Sequence, residues 1–260
     1  MSRPTRPIAA DWLALRVAAD TAARDRATGF VADWVAATDA VEPAIVDIGA
    51  GTGANRAYLA PRLGRPAHWV LLDHDADLLA APQHGRAQRV VGGIDALDAL
   101  IAAGADLVTC SALLDLLTAA ELDELAEVLA RHRTPALFSL TVDGTSRLDP
   151  AHPDDGVVAS AFNAHQARDG RPGPNAVDHL TARCAAAGLS VRRADTPWLL
   201  DAGSAPLVAR FMTERSAAAV EAQPELAEVA AGWLTARLAS LDAADLRLRI
   251  GHVDLLIGAG

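Results

Sequence analysis

The chain contains no lysine: all 23 of its basic residues are arginine. Without a side-chain primary amine it cannot form a Schiff base, attach pyridoxal phosphate or complete a Walker A loop. A tyrosine–lysine pair for hydride transfer is excluded as well. A genomic preference for arginine over lysine accounts for the absence itself. Cysteine is nearly as scarce. Only Cys110 and Cys184 occur, both in apolar segments, a usage that suits a reducing cytoplasm. Aromatic residues are few, at 4%, yet hydrophobic residues reach 51%, mostly alanine and leucine. That is too apolar for a disordered chain, and no run is long enough to span a membrane. Positive charge is also in deficit. A net charge of −10 with scattered arginines argues against a nucleic-acid substrate, whose phosphates demand a basic face. The first seven residues carry Arg3 and Arg6 but no apolar core after them, so no signal peptide is expected.

What is present is concentrated around residues 45–56. Ile45, Val46 and Ile48 are β-branched and follow Pro43, as in a strand buried on both faces. Gly49, Gly51 and Gly53 alternate with Ala50 and Thr52, and Ala54, Asn55 and Arg56 open a helical pattern. Strand, glycine turn and helix start together predict a site where a ligand approaches the backbone closely. A second apolar stretch, residues 68–73, ends in Asp73, 20 positions after Gly53. A carboxylate there can accept from both hydroxyls of a ribose. Gly49, Gly51 and Ala54 also satisfy the looser pattern of nicotinamide and flavin folds. The strand acid Asp47 and the third alternating glycine favour a different family.

At these residues the chain resembles the class I S-adenosylmethionine (SAM) dependent methyltransferases, whose first motif is an acid followed by G-x-G-x-G. Asp47, Gly49, Gly51 and Gly53 match it without a gap. The resemblance continues through Asp73, through Gly93 to Ala96 and through residues 105–108, and covers roughly residues 40–195. It implies SAM as cofactor, with contacts from Asp47, Gly49, Ala50, Gly51, Gly53, Asn55, Asp73, His74, Ile94, Asp95 and Cys110. Ile94 would lie against the adenine and Asp95 would accept from its exocyclic amine. As a separate reading, Asp95 caps the next short helix, and Cys110 is a small buried residue. No Asn-Pro-Pro-Tyr and no Pro-Cys occurs, which disfavours two routes of nucleobase methylation.

Other candidates come from the chain in order. Residues 11–37 carry apolar positions at helical spacing, with Asp20 and Arg24 as a possible pair on the outer face and a break at Thr28 and Gly29. Such a helix either lies over the cofactor, as in many small-molecule methyltransferases, or packs on the sheet edge. Asp115 is the lone charge in an apolar run after the fourth strand, which makes it a catalytic candidate or an exposed residue before the next helix. Thr118 to Glu121 reads as a capping box. The fifth strand is expected to end at Val142, followed by a long polar connection from 143 to 175. Within it Val158, Ala161, Phe162 and His165 share a helical face, and His165 is the second catalytic candidate, as a base or hydrogen-bond partner. His152, Asp154 and Asp155 match no strong metal pattern, so no metal is expected. Asn175 is expected to cap the following helix. Two helices, 204–222 and 225–241, intervene before the last strand.

The expected fold is a three-layer α/β/α sandwich with a seven-stranded, mostly parallel sheet whose last strand is antiparallel. One domain is expected: an N-terminal helical cap (1–40), a cofactor-binding core (41–200), a helical insertion (201–246) and a last strand (247–260). The resemblance implies methyl transfer to oxygen or nitrogen of a small-molecule acceptor in the cytoplasm, with no nucleic-acid or membrane partner. Open alternatives are a SAM-binding protein without turnover and an NAD(P)-binding oxidoreductase.

Overall fold

The computed structural model describes residues 10–81 and 85–259. The arginines at positions 3 and 6 lie outside the described residues. Two helices open the chain, α1 (Ala10–Arg24) and α2 (Thr28–Ala37), joined by a 3-10 turn at Asp25–Ala27 rather than broken at Thr28 and Gly29. Then β1 (Ala44–Ile48), α3 (Ala54–Leu59), β2 (His68–Asp73), α4 (Ala76–Leu79) and β3 (Gln88–Val91) build one half of a sheet. The other half uses α5 (Leu97–Ala102), β4 (Leu107–Ser111), α6 (Ala119–His132) and β5 (Ala136–Asp149). It continues with α7 (Asp155–Gln166), α8 (Ala176–Ala186), β6 (Leu189–Asp195) and β7 (Trp198–Leu200), and closes with α9 (Ala205–Ala222), α10 (Ala227–Asp242) and β8 (Arg247–Ala259).

The described strands form one sheet in the order β3-β2-β1-β4-β5-β8-β6, with the short β7 pairing β8 as an eighth strand. Pairings among β1 to β5 are parallel, and β8 runs antiparallel to β5, β6 and β7. The chain crosses from β3 to β4 next to β1, so the order reverses between β1 and β4. A crevice opens at the carboxyl ends of such strands. One face of the sheet buries Ile48, Leu97, Leu122, Leu129 and Leu180 against α5, α6 and α8. The opposite face buries Phe30, Trp34, Ile45, Leu59 and Leu71 against α2 and α3. The capping box at the start of α6 is formed: Thr118 Oγ1 accepts the Glu121 N–H at 3.2 Å, and Glu121 returns a bond to the Thr118 N–H at 2.9 Å.

The fifth strand departs from expectation. It does not stop at Val142 but bends at Leu140 and Gly144 (φ +58° and +77°) and runs on to Asp149. Its second half pairs β8 through Ser146↔Ile250 and Leu148↔Leu248. Together with β7 these strands form a tongue beyond the sheet's carboxyl edge. The tongue has its own core, in which Leu148, Leu248 and Ile250 meet Val158 and Ala161 of α7, Leu207, Val208 and Met212 of α9, and Trp233 of α10. The segment 143–175 is therefore ordered in most of its length. At its base Asp155 accepts from Trp233 Nε1 at 2.8 Å and from both Nη2 and Nε of the buried Arg237, which ties α7 to α10. Asn175 lies in a 3-10 turn and gives α8 no side-chain cap. Among the described residues no helix is long and apolar enough to cross a membrane.

Candidate functional site

The glycine turn after β1 is shaped by backbone geometry that only glycine adopts without strain. Gly49, Gly51 and Gly53 all have left-handed φ, at +62°, +52° and +89°. A Cβ on Gly49 would stand 2.8 Å from Leu113 Cδ1, and one on Gly51 would meet Leu13 Cδ1 of α1 at 3.5 Å. The turn is closed by the Gly53 N–H on Ala50 O and fastened to β2 by the Ala50 N–H on Leu72 O. Asp73 fastens it again: its Oδ2 accepts the Gly51 N–H at 2.7 Å, while Oδ1 accepts the Asp75 N–H at 2.9 Å. Oδ2 keeps a second lone pair for a ligand hydroxyl, whereas Oδ1 also lies 3.3 Å from His74 Nδ1.

Beneath the turn runs a buried polar chain. Arg24 of α1 donates to Asn55 Oδ1 at 2.8 Å. Asn55 Nδ2 donates to Asp47 Oδ1 at 2.6 Å and to Thr109 Oγ1 of β4 at 3.2 Å. The expected outer pair of Asp20 and Arg24 is not formed: Asp20 pairs with Arg16 at 2.8 Å, and Arg24 turns inward over the Tyr58 ring. Burial raises the Asp47 carboxyl to about 7, against the opposing pull of Asn55 and Arg24, and burial also lowers Arg24.

The turn opens into a cavity of ≈490 Å³. One end is bounded by Gly49 to Thr52, Asn55, Asp73 and His74, with Leu13 of α1 above Gly51, while Arg16 of the same helix lies over the Trp198 ring at 4.9 Å. The other end lies under the tongue and the insertion, between Phe162 and His165 of α7, Trp198 of β7, Phe211 and Arg215 of α9, and His252 of β8. The N-terminal helix thus lies over the glycine turn. A second recess, lined by His74, Gly92, Gly93, Ile94, Asp95 and Glu121, adjoins the first. Two backbone positions on the cavity wall, Ala112 and Leu140, hold left-handed φ without being glycine, at +55° and +58°. Each such residue costs on the order of 1–3 kcal/mol. The buried Asp254 carboxylate holds Leu140 there by accepting its N–H at 2.8 Å.

The residues singled out from the sequence fall into three groups. Gly49, Ala50, Gly51, Asn55, Asp73 and His74 converge on the cavity, and Ile94 and Asp95 on the adjoining recess. Asp47 and Cys110 do not reach either space. Both are 0% exposed, and Cys110 points into the sheet core, so strand alternation presents Ser111 instead. Gly53 acts through its backbone as the residue before α3. Asp115 and His165 line the cavity, Asp115 in a short 3-10 turn where burial pushes its carboxyl up to about 6. His165 Nε2 lies 3.1 Å from Glu221 Oε2 and 2.5 Å from an Arg168 guanidinium nitrogen, and its Nδ1 is buried without a partner.

Sequence reasoning missed His252 and Arg215. His252 sits in the last strand, where an imidazole between Gly251 and Val253 breaks an apolar run. Its Nδ1–H donates to Ile250 O at 3.1 Å, which leaves the Nε2 lone pair free to accept. Burial pushes its pKa down to about 3, so it stays neutral.

No protein-family model matches the chain, and no curated protein matches it significantly. Solved structures do. A protein assigned provisionally as a type II methyltransferase from Anaeromyxobacter dehalogenans superposes over 89% of this chain and 95% of its own, at 16% identity and a TM-score of 0.52. The apo form of the mycolic acid cyclopropane synthase CmaA1 superposes over 96% and 100%, at 14% identity and a TM-score of 0.50. The chain therefore has the fold of the class I methyltransferases.

The raised Asp47 carboxyl carries a pH signature. Its folded pKa, about 7, exceeds its ordinary value of 3.8. The folded state therefore holds the proton more tightly, and stability present below pH 3.8 is lost as pH rises toward 7. Urea unfolding of wild type and Asp47→Asn between pH 4.5 and 8.5 should show the variant gaining on wild type up to about pH 7 and keeping pace above it. The gain is at most about 1.4 kcal/mol per pH unit. Parallel curves would show that Asp47 is ionised throughout.

Proposed function

We propose that the chain is a SAM-dependent methyltransferase acting on a small molecule. The cofactor is held across the glycine turn and Asp73, and the acceptor occupies the end of the cavity under the insertion. The observation that carries this reading is the turn itself: three left-handed glycines at the switch point of the sheet, clamped by an acidic strand end and opening into a roofed cavity. The residues fit the cofactor. Asp73 Oδ2 has a lone pair left for a ribose hydroxyl, and the recess bearing Ile94 and Asp95 offers an apolar face and a carboxylate for an adenine ring. His74 lies between the two spaces and lines both. The A. dehalogenans neighbour is named for methyl transfer, which supports the same chemistry. The synthase is named for mycolic acid and the A. dehalogenans neighbour for no acceptor, so the two names point to no common acceptor.

When bound, SAM supplies a methyl group on a sulfonium, a strong electrophile that needs no further activation. The chain's own task is then to hold an acceptor atom in line and to exclude water. Leu13 roofs the turn, and Phe162, Trp198 and Phe211 wall the acceptor end. A hydroxyl acceptor must also lose a proton. Asp115, in the cavity wall with a pKa near the working range, is better placed for this than His165, whose Nε2 is already held by Glu221 and Arg168.

Titration calorimetry tests the binding half of this reading. SAM and S-adenosylhomocysteine should bind, and NAD(P) should not. Gly51→Val should abolish binding, because valine is strained at φ +52° and its branches would enter the space below Leu13. Asp73→Ala should weaken binding by about 1–3 kcal/mol. Unchanged affinity in Gly51→Val would remove the glycine turn from the site. Turnover is tested by screening small molecules for methylation, which also separates an enzyme from a binding protein.

For a hydroxyl acceptor found in that screen, kcat should rise with pH through about 6 as Asp115 ionises, and Asp115→Asn should remove the rise. His165→Ala should leave cofactor affinity within about 1 kcal/mol. A pH profile that survives Asp115→Asn but disappears in His165→Ala would transfer the proton to the histidine.

A further inference from the structure

Arg215 is a cation in an unusual place. It lies in the middle of α9, 3% exposed, and it lines the cavity beside Phe162 and Phe211. Its guanidinium sits over Phe162 at 4.9 Å and over Phe211 at 5.7 Å. Among the described residues its one hydrogen-bond partner is Ser146 Oγ, at 2.8 Å, which takes one of five N–H donors. The acids around it are committed elsewhere. Glu214 bonds Arg210 at 2.9 Å, Asp155 is taken by Arg237 and Trp233, and Glu221 faces His165 and Arg168.

A buried guanidinium without a carboxylate is costly to maintain, and burial lowers its pKa to about 10. Packing does not require it, since a methionine would fill similar space in this apolar cluster without a desolvation penalty. The other arginines on the wall each have a carboxylate partner: Arg16 pairs with Asp20 at 2.8 Å and Arg171 with Asp169 at 3.2 Å. Among the described residues Arg215 is therefore the one arginine on the cavity wall without an ion pair; only the more distant Asp155 acts on its charge, and its open donors lie beside the rings of Phe162 and Phe211.

We propose that Arg215 binds a carboxylate of the acceptor, so that the substrate is an apolar or aromatic monoanion anchored by its carboxylate at this end. This rests on reading the cavity as the acceptor site. One planar, pre-organised guanidinium matches one carboxylate in charge and in fork geometry. A phosphate dianion would need a second cation, and both candidates are already paired. The anchor fixes which end of the substrate faces the glycine turn, because among the described residues Arg215 is the one arginine on the cavity wall without a carboxylate partner.

The test uses benzoate, 3-phenylpropionate and octanoate, each beside its primary amide, titrated into protein saturated with S-adenosylhomocysteine. Wild type should bind at least one acid tenfold or more tightly than its amide. Arg215→Met should reduce that acid to the level of its amide, leave S-adenosylhomocysteine binding unchanged, and raise the melting temperature of the free protein. Arg215→Gln serves as a second variant should the first fail to fold, and the acid–amide comparison in wild type needs neither. Wild type that binds acids and amides alike, or none of the acids, overturns the assignment, as does a preference that survives loss of Arg215. If S-adenosylhomocysteine itself fails to bind while an acid still discriminates through Arg215, the methyltransferase reading falls and the anion site stands. If it binds and no acid does, only the anion site falls.

Discussion

The glycine turn depends on a buried amide. Asn55 takes a hydrogen bond from Arg24 and gives two, to Asp47 and Thr109, so one side chain in the first turn of α3 joins the cap helix, β1 and β4. Thr109 extends the chain by donating to Leu137 O on β5 at 2.8 Å. Removing any one member would strand a buried charge or dipole, at a cost of about 1–3 kcal/mol or more. The arrangement places the acid of the glycine motif underneath the turn rather than against a ligand. Asp47 supports the loop from below, while Asp73 grips it from the side and faces the cavity.

A second constraint comes from the length of β5 and β8. Strands of 14 and 13 residues outrun the five-residue β1 and β4, and the excess needs cover. The helices α7, α9 and α10 provide it, building a separate apolar cluster above the carboxyl edge of the sheet. The cavity is the gap left between this cluster and the glycine turn. The turn lies on a rigid sheet core, whereas the walls of the far end, from Phe162 to Arg215, belong to helices that the minimal fold does not need. The glycine-turn end of the cavity is therefore set by the fold and the far end by the added helices.

This division explains what could be read in the sequence. Residues near one another along the chain, under local geometric rules, were legible: the alternating glycines, the acid closing β2, the capping box of α6 and the pair of helices before the last strand. The tongue was not, because residues 143–149 carry Asp, Gly, Thr, Ser and Arg and look like a loop until β8 arrives to pair with them. Arg24 illustrates a different ambiguity. Both Arg16–Asp20 and Asp20–Arg24 have the spacing of a helical ion pair, and only the distant Asn55 and Tyr58 decide that Arg24 turns inward. Cys110 was placed at the site by its position at a strand end, but the strand runs one residue further and Ser111 takes the cavity side. Arg215 and His252 gave signals too faint to use alone: single polar residues in segments whose partners lie dozens of positions away.

The central claim, that turn, cap helix and adjoining recess form one cofactor site, can be tested on the unmodified protein by hydrogen–deuterium exchange with and without S-adenosylhomocysteine. Bound S-adenosylhomocysteine should slow exchange in residues 49–55, 73–75 and 92–96 and in α1, because the ligand would contact the first three and complete the packing of the fourth. Little change is expected in α8 and β6, which lie outside the cavity. Exchange that is unaltered in the turn and around Asp73 at saturating ligand would contradict the account, whatever the activity of the protein.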